Sequence, residues 1–281
     1  MSVKIIIDST TDLTPELKNR MLVVPLTVHF GDEEYIDGVT ITHKEFYEKL
    51  IESDALPSTS QATPAAFEDI FRQVADAGDT AVVVTLSSQL SGTYQSAMIA
   101  AADFDCIHVV DGTSVAIGTA ILAETALQLA DSGMDAASIA AHLEKEKKNI
   151  RIVAMLDTLE YLKKGGRISK TVAFAGGMLN IKPVISINDG QIQILGKARG
   201  SRQGNNLLVT EIEKAGGVDF SKPLLLGYTG LSDVLLQKYI SDSAHLWENG
   251  TSSLRCTPIG SVIGTHAGPG AIAAAFFKKE S

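Results

Sequence analysis

Four short runs rich in Val and Ile, at residues 3–7, 22–28, 81–86 and 107–110, punctuate the first part of the chain. Unbroken apolar runs of this length predict strands covered on both faces, as in parallel sheets. Helical stretches lie between and after them. Thr14-Pro15-Glu16 and Thr63-Pro64 each place a hydroxyl at a helix N-cap and proline at the first helical position. Residues 113–132 and 135–149 read as two successive helices broken at Gly133. Strands alternating with helices predict an open, mostly parallel α/β sheet with flanking helices and right-handed crossovers.

The pattern then changes. Residues 152–156 read as a strand, and a short helix at 159–164 ends at Gly165-Gly166. Asn188-Asp189-Gly190 joins apolar runs at 183–187 and 191–195, a strong hairpin signal. Further strands are expected at 224–227 and 254–259. These features predict a two-domain α/β protein: an N-terminal α/β domain over 1–156 and a C-terminal mixed α+β domain over 157–281. Residues 259–277 carry His266 as their only ionisable side chain, and that length is enough for a membrane span. Four glycines and a proline argue instead for a strand, a glycine loop and a second strand or helix.

Composition narrows the function. The balance of 45% hydrophobic and 20% charged residues over 281 positions is that of a globular protein. A net charge of −9 repels phosphate backbones and argues against nucleic acid as a partner. Cys106 and Cys256 stand far apart in no metal-binding or redox spacing, so reduced thiols are expected. The opening MSVKIIIDST reads as a strand rather than a secretory leader. Both features predict a cytoplasmic protein.

Ligands of open α/β sheets sit at the carboxyl ends of strands. The loops there are rich in hydroxyls: residues 8–12, 57–61, 87–93 and 264–270. Neutral hydroxyls, amides and bare N–H groups near helix starts suit an anion such as a carboxylate or phosphate. Any one loop is explained better by helix capping and turn formation; several such loops together weaken that explanation. Catalytic signals are poor. There is no Walker A sequence, Gly268-Pro269-Gly270 lacks the rest of a dinucleotide fingerprint, and Ser91 is in no GxSxG elbow. Ser91 and His266 remain as an alternative nucleophile–base pair, with nothing in the sequence to orient the histidine. No two histidines have metal-ligand spacing, so neither a metal nor a cofactor is expected.

Seven segments, IIIDSTTDL, STSQATP, LSSQLSGTYQSA, VVDGTS, LEYLKKGGRIS, KARGSRQG and THAGPGA, occur in the order found in the DegV family. The sequence resembles that family, the fatty acid-binding subunits of bacterial fatty acid kinases, over essentially its whole length. The resemblance implies two α/β domains with a long acyl chain buried between or within them. It implies that the carboxylate is held by Thr59, Ser60, Ser91 and Gly92, with His266 in the glycine-rich loop. It places the family's basic positions at Arg167 and Arg202. Ala62 follows the TSQ motif where the family carries proline. The chain itself would not be an enzyme. A separate kinase would phosphorylate the bound fatty acid, and a stand-alone lipid carrier or sensor is the alternative.

Charge placement adds a partner surface. Residues 163–202 hold Lys163, Lys164, Arg167, Lys170, Lys182, Lys197, Arg199 and Arg202 against one acid, Asp189. A positive patch on an acidic protein suits an acidic partner or a phosphate, and assigns Arg167, Arg199 and Arg202 to the kinase or its nucleotide. The sequence does not locate the tail site: apolar helix faces such as Phe67, Ile70, Phe71 and Val74, or Ile117, Ile121 and Leu122, are candidates, but such spacing usually marks core.

Overall fold

A computed structural model describes residues 2–53, 55–168, 180–248, 250 and 254–279. Lys170 and Ser169 of the predicted basic segment lie outside the described residues. The chain runs β1 (Val3–Asp8), α1 (Pro15–Lys18), β2 (Leu22–Val24), β3 (Thr27–Phe30), β4 (Glu33–Ile36), α2 (His43–Glu52), β5 (Ser58–Ser60) and α3 (Pro64–Asp76). Next come β6 (Thr80–Thr85), α4 (Thr93–Ala101), β7 (Ile107–Asp111), α5 (Ile117–Asp131) and α6 (Ala136–Glu146). It continues with β8 (Ile150–Met155), α7 (Glu160–Lys164), β9 (Ile181–Asn188), β10 (Gln191–Arg199), α8 (Gly200–Lys214) and β11 (Leu225–Tyr228). It ends with α9 (Val234–Asp242), α10 (Ala244–Trp247), β12 (Cys256–Pro258), α11 (Ser261–Ala267) and β13 (Ile272–Phe277).

The predicted parallel sheet forms in the order β2-β1-β6-β7, every pair parallel. The second half supplies a mixed six-stranded sheet, β10-β9-β8-β13-β11-β12. Its Asn188-Asp189-Gly190 turn has φ of 47° at Asp189 and 77° at Gly190, the left-handed pair that a two-residue hairpin needs.

Three expectations are corrected. The run at 22–28 is two strands in two sheets. Pro25 has no N–H to continue the parallel ladder, and the chain passes from β2 into a three-stranded antiparallel sheet, β4-β3-β5. The helix expected from residue 113 starts at Ile117. Asp111 accepts the Thr113 N–H at 2.9 Å, the Ser114 carbonyl accepts from Ser87 N at 2.8 Å, and Thr113 and Ala116 take φ of 46° and 51°. Residues so tied cannot enter the helix. The segment at 259–277 opens with a helix, α11, before its glycine turn and β13. Its glycines serve close packing: a Cβ on Gly264 would stand 2.4 Å from the Tyr47 hydroxyl and 2.8 Å from the Phe46 ring of α2.

Helix α5 joins the halves. It is apolar nearly all round, as a helix covered on every side should be, and it packs on β1 and β6 of one sheet and β8, β11 and β13 of the other. Its one buried acid, Glu124, accepts two hydrogen bonds from Arg255 at 2.9 and 2.8 Å. The loop before α11 is pinned to the N-terminal half as well. Thr257 donates to the Leu13 carbonyl at 3.2 Å, Tyr47 to the Ile259 carbonyl at 3.1 Å, and Gly260 N–H to Asp12 at 2.8 Å.

Candidate functional site

One face of the six-stranded sheet is left open beneath this joint. Alternate residues of its strands point there: Ile192 from β10, Ile185 and Ile187 from β9, Ile152 and Ala154 from β8, Ala273 from β13, with Thr229 just past β11. They form the floor of a cavity with about 920 Å³ of space between atoms, its mouth included. The floor crosses five adjacent strands, four spacings of about 4.8 Å, or roughly 19 Å. Leu26, Leu86, Leu90, Val115, Ile259, Val262 and Ile263 supply much of the remaining wall. The candidate helix-face tail sites are not part of it. Phe67, Phe71 and Val74 are buried in the core beside the parallel sheet, and Ile117, Ile121 and Leu122 in the core shared by the two sheets.

The polar lining is concentrated in Thr59, Ser60, Gln61, Ser91, Arg167 and His266, with Ser186 and Thr229 on the sheet side. Thr59 and Ser60 sit on β5, a polar edge strand paired to β3, and successive side chains of a strand diverge. The Thr59 hydroxyl meets His266 Nε2 at 2.9 Å, whereas Ser60 meets His29 Nε2 at 2.8 Å. Ser91 precedes α4, sharing a hydrogen bond with Thr93 at 2.9 Å and accepting a longer one, 3.3 Å, from Thr93 N–H. Gly92 is the N-cap of α4 with no side-chain cap, and it lies under Gln61 rather than in the cavity wall.

His266 is neutral in this setting. Burial, then the nearby Arg167 charge, lowers its pKa from 6.5 to about 4. Its Nδ1 is buried against Gly165 with no hydrogen-bond partner among the described residues. Among the described residues no acid hydrogen-bonds the ring, and Thr59 rather than Ser91 meets Nε2. Arg167 lines the cavity. It donates to the carbonyls of Leu90 at 3.3 Å and Gly165 at 2.6 Å, and among the described residues no carboxylate pairs with it. Burial lowers its pKa. Arg202 is exposed on α8, outside the cavity.

The structure therefore brings Thr59, Ser60, Ser91, His266 and Arg167 to one cavity, sets Gly92 beside it and leaves Arg202 apart. Gln61 belongs to the same lining and was not among the predicted site residues; its place in the STSQ segment was the available signal. Among the described residues no three His, Cys, Asp or Glu side chains are grouped to hold a metal ion. No described helix is long and apolar enough to cross a membrane.

Comparison with known proteins agrees with this architecture. A DegV domain-containing protein of Caldanaerobacter subterraneus subsp. tengcongensis is 32% identical, the match covering 99% of each chain. A DegV family protein from Thermus thermophilus, described for its fatty acid binding, superposes with a TM-score of 0.87 at 29% identity, over 99% of this chain and all of that one. The fatty acid kinase B3 protein of Streptococcus pneumoniae, determined with linoleic acid, shares the fold at a TM-score of 0.86 and 23% identity, over 99% of this chain and 100% of its own. The family profile described as "Uncharacterised protein, DegV family" matches residues 2–279, and the chain belongs to the DegV family.

Proposed function

We propose that this protein binds a long-chain fatty acid, tail in the sheet-floored cavity and carboxylate at its polar end, and presents that carboxylate to a separate kinase. The observation that carries the reading is Arg167. A half-buried guanidinium with no acidic partner among the described residues stands beside neutral donors in an otherwise aliphatic cavity, and an amphipathic anion satisfies both halves of that description. The fatty acid binding of the Thermus relative supports it. Each buried methylene contributes about 0.8 kcal/mol, so roughly fifteen would contribute about 12 kcal/mol, against several for immobilising the ligand. The tail supplies affinity and the head-group donors supply orientation.

Thr59, Ser60, Ser91, the uncapped start of α4 at Gly92, and neutral His266 are the proposed carboxylate donors. Hydroxyl and N–H donors favour the ionised acid without quenching it as a nucleophile. The Arg167 charge favours the ionised form at longer range, while its guanidinium donates to the carbonyls of Leu90 and Gly165. Arg167 and the exposed Arg202 are the proposed contacts for the kinase or its phosphates, consistent with the basic segment they share.

Denaturing the purified protein, extracting it and identifying the extract by mass spectrometry tests the binding: about one fatty acid per chain is expected. An empty extract from protein that also fails to take up added fatty acid refutes it. Charge reversal at Arg202 should abolish acyl-phosphate formation with the partner kinase while fatty acid remains bound, whereas reversal at the cavity-lining Arg167 should abolish it and weaken fatty acid binding as well. Turnover that survives both reversals refutes the docking assignment, and full binding with no kinase that accepts the complex favours a stand-alone carrier.

A further inference from the structure

The proposed carboxylate donors come from two elements that share no backbone: β5 with Thr59 on one side, and Ser91 with the start of α4 on the other. A carboxylate has two acceptor oxygens in a fixed plane, so the gap between the two donor sets matters to it. An alcohol presents one oxygen and can follow either set alone. Something must fix the gap if the site is to prefer the acid.

Gln61 spans it. It follows β5 directly, and its Nε2 donates to the Ser96 hydroxyl at 2.9 Å. Ser96 is on the first turn of α4, is 2% exposed and lies outside the cavity lining. The Gln61 amide also lies close against Gly92, the N-cap of that helix. A Cβ on Gly92 would stand 2.1 Å from its Oε1 and under 3 Å from the rest of the amide group. A side chain at position 92 would displace the Gln61 amide, whereas the backbone there, with φ of −74°, is open to any residue. The next residues after Gln61 are fixed too: Ala62 is buried and Thr63 caps α3 by accepting from Ala66 N–H. The amide is thus a short strut anchored at both ends.

We infer that Gln61 is a positioning residue that sets the separation of the two donor groups and so makes the site selective for a carboxylate over a neutral head group. The inference rests on the fatty acid reading above. It assigns Ser96 and Gly92 a part in head-group selectivity although neither lines the cavity.

The test compares affinities for palmitic acid and for hexadecanol, the same tail with a different head, in wild type, Gln61→Met, Ser96→Ala and the double variant. Methionine keeps the side chain's length and removes its donor. Each single change should lower the acid-to-alcohol affinity ratio about tenfold, the scale of one lost hydrogen bond, with hexadecanol affinity unchanged. The double variant should lose no more than either single, because both remove one interaction. General destabilisation would weaken both ligands together and leave the ratio intact. Unchanged ratios in both singles, or losses that multiply in the double, overturn the inference while the wild-type affinity for the acid leaves the binding reading standing. A wild type that binds neither ligand overturns both.

Discussion

Acidification should weaken the wild-type protein more than a His266→Gln variant, and the structure sets the size of the difference. The folded-state pKa of His266 is about 4 against an ordinary 6.5, because burial and the Arg167 charge oppose protonation. The unfolded chain takes up this proton as pH falls through 6.5 and the folded one does not until about 4. Stability present above pH 6.5 is therefore lost progressively between 6.5 and 4. About 2.5 units at 1.36 kcal/mol each give about 3 kcal/mol. The raw pH profile hides this, because buried Asp8 works in the other direction. Desolvation raises its pKa from 3.8 to about 6 despite hydrogen bonds from Thr10 and Leu86, so the folded state binds that proton first and gains stability as pH falls from 6 to 3.8. Asp12 and Asp37 are raised by burial too and add to the same side. Urea unfolding of both proteins at pH 7, 5.5 and 4.5 isolates the histidine as a difference. Glutamine has no charged form and still offers Thr59 a polar partner. The stability difference should shift by about 2 to 3 kcal/mol toward the variant over that range. A difference that stays flat, or an imidazole that titrates near 6.5 by NMR, refutes the assignment of a buried neutral ring.

Three further outcomes separate cavity from core and hairpin from filler. Ala273→Phe should fill the cavity floor, abolishing recovery of long-chain acid in extracts while the melting temperature is held or raised. A lowered melting temperature with full acid content would show that Ala273 faces packed core. Phe67→Ala should cost about 3–5 kcal/mol in urea unfolding, as a fully buried ring, and leave ligand stoichiometry of the folded protein unchanged. Gly190→Ala should destabilise by more than about 1 kcal/mol, since φ is 77° and the new Cβ would lie 2.5 Å from Ser87 Oγ, the donor to its own carbonyl. Faster amide exchange around residues 187–192 is the accompanying signature, and an unchanged midpoint would show that the hairpin tip is not docked.

The elements legible in the sequence are those whose local chemistry decides them. The Val and Ile runs of β1 and β6 are satisfied in the middle of the parallel sheet and that of β7 at its edge, and Asp189-Gly190 supplies the left-handed pair the hairpin turn requires. Thr63 caps α3 as its position before Pro64 predicts, while Thr14 before Pro15 makes no side-chain cap. Elements set by distant partners were not legible. Ser58–Ser60 has no apolar signal and becomes strand β5 because β3 offers it an edge. The glycine-bearing α11 has weak intrinsic propensity and forms where α2 leaves a groove only glycine can approach.

The same division runs through the site. A head group demands particular atoms, so hydroxyls, a histidine and an arginine leave a trace in the sequence wherever they are gathered. The loops carrying Thr59, Ser91 and His266 stood out by their hydroxyls and bare N–H groups, the individual residues and Arg167 came from the family resemblance, and all four line one cavity. A tail demands only that apolar surface be left unfilled, and no residue encodes an absence. The helix faces of α3 and α5 carry the strongest apolar signals, and for that reason the core claims them first. What remains is the sheet face of Ile152, Ala154, Ile185, Ile187 and Ala273, where two alanines stand among branched residues. Small residues at alternate positions of neighbouring strands lower the floor without making it polar. That pairing, Ala154 opposite Ala273, is readable only once the register of β8 against β13 is known.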